Sequence, residues 1–239
     1  MTDPIAVALQ GTLWADTAPA LDDEFTHLER RPLARGAWVD HQSEWVAGAD
    51  TLFEDVTRHF DWHAGRRWMY EREVDEPRLT AQVDRDELAA LPLLPHMVEV
   101  LGRRYGTALG GCWANFYRDG RDSVAWHGDR IARERLTSLV VIVSLGARRR
   151  FLLRPSGGGP SMRFELGRGD LFVMGGTCQR TWEHAVPKAV GGGPRISLTF
   201  RPPEVTTTDR PGRRRRVDAG DRARHPRVGQ DRLSTDHAR

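Results

Sequence analysis

From residue 114 onward the sequence is cut by glycines into short runs of strand-forming residues, and one run constrains the fold more than the others. Residues 136–145 are nearly all apolar and β-branched, with Val140-Val141-Ile142-Val143 at the centre and Gly146 closing the run. Such a run fits a strand buried on both faces, so other elements must cover each side of it. Gly169-Asp170-Leu171-Phe172-Val173-Met174-Gly175-Gly176 reads as a turn followed by a core strand. In Pro194-Arg195-Ile196-Ser197-Leu198-Thr199-Phe200-Arg201 the apolar Ile196, Leu198 and Phe200 alternate with Arg195, Ser197, Thr199 and Arg201, and in a strand the two sets lie on opposite faces. Short strands at close spacing, joined by glycine turns, point to a mainly β sandwich or jelly roll with flanking helices, class α+β, and away from a βαβ fold.

The earlier part of the chain supplies the flanking elements. Residues 36–41 read as a strand. Residues 49–56 read as a helix with Asp50 as N-cap and Leu52, Phe53, Val56 and Phe60 turned inward. Residues 91–105 read as an amphipathic helix starting near Pro95 and ended by Gly106, bracing the back of the sheet. Residues 1–35 show no sustained period and are expected to be a poorly ordered lead-in with at most one short strand. Residues 203–239 are too poor in apolar side chains to fold and are expected to be a disordered basic tail. One domain, 36–202, remains, long enough for a full core.

The net charge of +3 is unevenly spread. Residues 210–239 hold ten arginines against four aspartates, so this tail carries +6 and residues 1–209 carry −3. Attraction to nucleic acid therefore has to come from a local patch or from the tail. Two such patches stand out. In 66–80 the basic residues Arg66, Arg67, Arg72 and Arg78 interleave with Trp68, Met69 and Tyr70, which suits phosphate pairing and base stacking and equally suits a two-stranded edge with a packed Trp68. Arg148-Arg149-Arg150 leads a strand toward a glycine-rich hairpin at 155–160; it fits either a phosphate grip or a solvated edge strand blunted by charge. Cys112 and Cys178 are too few for a disulfide framework and are read as reduced, buried thiols. No run approaches the roughly 18 apolar residues of a membrane span, and a cytoplasmic monomer is the default expectation.

The chemistry concentrates in Trp126-His127-Gly128-Asp129-Arg130. A histidine and a carboxylate two residues apart in extended backbone point to one side and form a chelating pair. His184, 55 residues beyond Asp129, supplies a further ligand. Two histidines and one carboxylate on one triangular face of an octahedron suit a non-haem Fe(II) centre. Arg195 and Arg201 lie about 20 Å apart along their strand, and with each side chain leaning inward they leave the length of a five-carbon dicarboxylate. A planar guanidinium meets each carboxylate end with two hydrogen bonds. Asn115 and Tyr117 share a face, presenting an amide and a phenol together while Phe116 points into packing.

Asn-x-Tyr, His-x-Asp, a distal His and Arg-x-Ser-Leu-Thr-Phe-Arg, in this order between residues 68 and 202, resemble the AlkB family of Fe(II)- and 2-oxoglutarate-dependent dioxygenases, which demethylate nucleic-acid bases. The resemblance implies a double-stranded β-helix, with His127, Asp129 and His184 as the catalytic iron ligands and Asn115, Tyr117, Arg195, Ser197 and Arg201 holding 2-oxoglutarate. It implies O2 as cosubstrate, with succinate, CO2 and formaldehyde released. It also implies a nucleotide-recognition lid at about 66–90 over a catalytic core at about 91–202, with Trp68, Met69, Tyr70, Arg78 and Ile131 near the substrate. Ile131 stands where several family members carry an acidic residue beside the target base. The implied partner is alkylated DNA, single- or double-stranded, with RNA as the alternative. A zinc hydrolase could use the same three ligands but leaves Arg195 and Arg201 without a task, and a degenerate jelly-roll binding module leaves the ligand set without one.

Overall fold

The computed structural model describes residues 18–69, 72–129 and 136–203, with the backbone alone at 67–69 and 72–75. The chain forms β1 (Ala20–Leu21), β2 (Glu29–Pro32), β3 (Ala37–Gln42), β4 (Val46–Ala47), α1 (Ala49–His59), β5 (His63–Met69), β6 (Arg72–Val83), α2 (Arg85–Leu88) and α3 (Leu93–Tyr105). It continues through β7 (Cys112–Tyr117), β8 (Val124–His127), β9 (Val140–Gly146), β10 (Arg149–Pro155), β11 (Met162–Leu166), β12 (Asp170–Gly176), α4 (Cys178–Thr181), β13 (Trp182–Val186) and β14 (Arg195–Phe200). An eight-stranded antiparallel sheet has the order β2-β3-β12-β9-β14-β7-β6-β5, and a four-stranded sheet the order β11-β10-β13-β8. This is the jelly-roll architecture expected from the glycine-punctuated strands.

The alternation along each central strand sorts side chains into two cores. Val141, Val143 and Leu145 of β9, with Ile196, Leu198 and Phe200 of β14, pack with Leu52, Phe53 and Val56 of α1 and Leu94, Met97 and Leu101 of α3. Val140 and Ile142 of β9 pack on the other side with Phe172 and Met174 of β12 and Phe151 and Leu153 of β10. Every residue of β9 is buried, as the sequence requires of a strand covered on both faces. The strand is shorter than its apolar run: Leu136 is 75 % exposed and pairing begins at Val140. Gly146 ends it with φ +76°, and a Cβ there would stand 2.9 Å from the Phe53 ring, so the absence of a side chain lets α1 dock.

The structure departs from the sequence-based expectation in three further places. Residues 20–32 hold two strands, β1 and β2, where a poorly ordered lead-in was expected. Arg30 of β2 anchors that stretch through two hydrogen bonds, 2.7 and 2.8 Å, to the buried Asp40 of β3. Helix α1 is capped by Gly48, at φ 62°, and Asp50 falls in the first turn instead. Arg149 is neither a phosphate grip nor solvated, for β10 lies inside its sheet, between β11 and β13. Its guanidinium is buried and donates to the carbonyls of Asp119, Asp122 and Pro187 at 2.8–3.0 Å.

Candidate metal and cosubstrate site

Strands β8 and β13 pair with His127 directly opposite His184. The ring centroids are 4.2 Å apart. Asp129 follows two residues beyond His127, and its Oδ1 is 4.0 Å from His127 Nε2. One ligand atom from each of His127, Asp129 and His184 lies within 4.8 Å of the other two. A divalent ion placed among them meets a two-histidine, one-carboxylate face.

Each imidazole is prepared for ligation. His127 Nδ1 lies 2.8 Å from the Ala125 carbonyl, which can only accept, so the proton sits on Nδ1 and Nε2 carries the free lone pair. His184 is buried, with Phe151 stacked on it at 5.3 Å and an interplanar angle of 18°. Burial brings its pKa down from 6.5 to about 4, against the opposing pull of Asp129, which keeps the ring neutral near pH 7.

Strand β14 runs between β7 and β9, and the register stacks the polar residues in rows. Arg195 lies opposite Tyr117 and Gly146, Ser197 opposite Asn115 and Ser144, and Thr199 opposite Trp113 and Ile142. At one end of the strand, Arg195 is 1 % exposed and its Nη2 donates to Ser144 Oγ at 2.7 Å. Its Nε and Nη1 are buried and find no hydrogen-bond partner among the described residues. Burial lowers the guanidinium's pKa, opposed by Tyr117, whose ring centre is 5.3 Å away. Burial likewise raises the Tyr117 phenol, which remains protonated as a hydrogen-bond donor. Just past the other end of β14, Arg201 Nη2 reaches Asp129 Oδ1 at 3.0 Å, and its Nε is also buried without a hydrogen-bond partner among the described residues.

These unpaired donors fit a dicarboxylate. Burying guanidinium N–H groups without partners is costly, and a carboxylate arriving end-on would take Nη1 together with the second N–H of Nη2. The donor set of the cluster suits Fe(II).

The structure brings together His127, Asp129 and His184, sets Arg195 opposite Tyr117 and Ser197 opposite Asn115, and brings Arg201 to Asp129. Arg78, read from the sequence as a substrate contact, donates from Nε to Asn115 Oδ1 at 2.8 Å, and its Nη2 is 3.2 Å from Glu76. Trp68 and Met69 lie in the β5–β6 hairpin, with Met69 opposite Arg72, and only their backbone is described. Tyr70 and Ile131 lie outside the described residues. Sequence reasoning passed over Ser144 and Gln179. Each makes its contact across at least 50 residues, with no local spacing to announce it.

Fold, ligand set and arginine pair together define an Fe(II)- and 2-oxoglutarate-binding jelly roll. The chain belongs to the 2OG-Fe(II) oxygenase superfamily, whose sequence model matches residues 37–201. Within it the chain is similar to AlkB homologues, in keeping with the resemblance of its motifs. It is 29% identical over 176 residues to the alpha-ketoglutarate-dependent dioxygenase alkB homolog 3 of Bos taurus, covering 64% of this chain and 61% of that one. It is 29% identical over 204 residues to the DNA oxidative demethylase ALKBH2 of Arabidopsis thaliana, covering 69% of this chain and 63% of that one. The chain thus spans less than two thirds of the length of these relatives. Among solved structures it is similar to a 2OG-Fe(II) oxygenase family oxidoreductase from Burkholderia pseudomallei, with TM-score 0.46, 17% identity and coverage of 63% of this chain and 76% of that one.

Proposed function

We propose that the chain is an AlkB-type dioxygenase that removes N-linked alkyl groups from bases in DNA. The observation that carries this reading is the three-ligand cluster with Arg201 bonded to one of its ligands and Arg195 holding unpaired buried donors at the far end of the same strand. A zinc hydrolase has no use for that second feature. The similarity to a relative named as a DNA oxidative demethylase, together with the basic stretch 66–80, supports DNA as the substrate.

His127, Asp129 and His184 hold the iron, and Arg195 with Tyr117 receives the carboxylate of 2-oxoglutarate remote from it. Asn115, oriented by Arg78, and Arg201 face the end nearer the metal. When bound, the metal and the keto acid supply O2 activation, giving succinate and CO2 and hydroxylating the N-methyl group, after which formaldehyde leaves the restored base. The protein contributes position and charge. Arg201 holds the Asp129 carboxylate at 3.0 Å, and burial of His184 excludes water from its side of the cluster. A methyl group inside a duplex is reached only after the base is extruded, so single-stranded DNA is the easier substrate.

The test is formaldehyde release from methylated single- and double-stranded DNA and from RNA, with Fe(II) and 2-oxoglutarate supplied. Release from DNA that disappears in Asp129→Ala supports the reading. Succinate formation with another acceptor, and none with any methylated nucleic acid, removes it.

A further inference from the structure

We propose that Gln179 is a positioning residue for the metal centre, fixing the Asp129 carboxylate against the two histidines; the inference rests on the metal-site reading above. The β8–β13 register reaches only from Val186↔Val124 to His184↔His127. Asp129 therefore lies beyond the ladder, and its main-chain N–H needs another acceptor. Gln179 provides it: the side-chain Oε1 accepts from Asp129 N at 2.9 Å.

The amide is itself held. Gln179 is 5 % exposed, and its Nε2 donates to the Met174 thioether at 3.4 Å, so the side chain has a single orientation with oxygen toward Asp129. The main chain closes on the same segment. A Cβ on Gly128 would stand 2.6 Å from the Gln179 carbonyl oxygen, so this approach requires glycine between His127 and Asp129. Gln179 belongs to α4, which leads directly into β13 and so to His184. One neutral side chain thereby ties the segment bearing two ligands to the element that delivers the third. Partners hydrogen-bonded directly to a ligating side chain change metal affinity by about 10–100-fold, and a hold on the ligand's main chain acts through the same orientation of the carboxylate.

The experiment is a Co(II) titration of the full metal-free chain, read by visible absorption, beside melting curves of the metal-free proteins. Gln179→Leu, which loses the acceptor, is expected to weaken Co(II) binding by about 10–100-fold and to alter the absorption bands. Gln179→Glu, which keeps an oxygen at the same place, is expected to bind Co(II) more tightly than Gln179→Leu does. Where Gln179→Leu does not fold, Gln179→Met takes its place. An acceptor-free variant with the parent's affinity and bands overturns the proposal. So does a Gln179→Glu protein impaired to the same degree, because the role then lies in packing. Asp129→Ala is the separate control: if it leaves Co(II) binding intact, the metal-site reading fails, and the proposal with it.

Discussion

Arg201 Nη2 stands 3.0 Å from Asp129 Oδ1, so the residue that follows the cosubstrate strand also holds a metal ligand. On the proposed reading, metal and dicarboxylate are thereby coupled through one side chain. A charged hydrogen bond of this kind contributes roughly 1.5–3 kcal/mol. Replacing Arg201 by Met is expected to weaken both Mn(II) and 2-oxoglutarate binding by about 10–100-fold, measured by calorimetry on each in turn. An effect on 2-oxoglutarate alone would show that the Asp129 contact contributes nothing to the metal.

Arg195 presents a different case, because its unpaired donors are buried 1 % exposed at the closed end of the site. Arg195→Lys keeps the charge and loses the fork, so 2-oxoglutarate affinity is expected to fall about tenfold, and Arg195→Met about 100-fold or more. Ser144→Ala removes only the oxygen that orients Nη2 and is expected to cost a few-fold, in line with a net contribution of about 1 kcal/mol. Mn(II) affinity should be unchanged in all three, since none touches a ligand. Equal losses across the three would place the specificity for the dicarboxylate elsewhere.

The His127–Asp129 pair and the arginine pair were legible in the sequence because each depends on a period of two within one extended segment, whereas His184 was legible only from the order of the motifs. What crosses between segments was not. Nothing local says that His127 stands opposite His184, or that Ser197 sits between Asn115 and Ser144; strand register decides both. Arg149 misled because three successive arginines look solvated, whereas alternation places it with Phe151 and Leu153 on the inward face, and three loop carbonyls then satisfy it. Gln179 acts across 50 residues and carries no charge or motif to mark it.

The buried His184 sets the acid response of the metal-free protein. Its folded pKa, about 4, lies below its ordinary value of 6.5. Between these values the unfolded chain binds the proton and the folded one does not, so stability falls as pH drops from about 6.5 and levels off below about 4. The shift corresponds to roughly 3 kcal/mol at most. Urea midpoints of the metal-free protein, measured across this window, should decline, and His184→Asn should flatten that decline. A decline of equal slope in His184→Asn would assign it to other groups.

Gly146 tests the fold behind the site. Its φ of +76° is unfavourable for any residue with a Cβ, and that atom would lie 2.6 Å from the Pro194 carbonyl oxygen and 2.9 Å from the Phe53 ring. The first contact is with backbone and cannot be relieved by a rotamer change. Gly146→Ala is therefore expected to lower stability by about 1–3 kcal/mol through strain and overpacking. Because Pro194 immediately precedes Arg195, displacement of that carbonyl moves the guanidinium as well. The variant should show a lower melting temperature together with weakened 2-oxoglutarate binding. A melting temperature equal to the parent's would mean that α1 and the loop before β14 yield more easily than these distances imply.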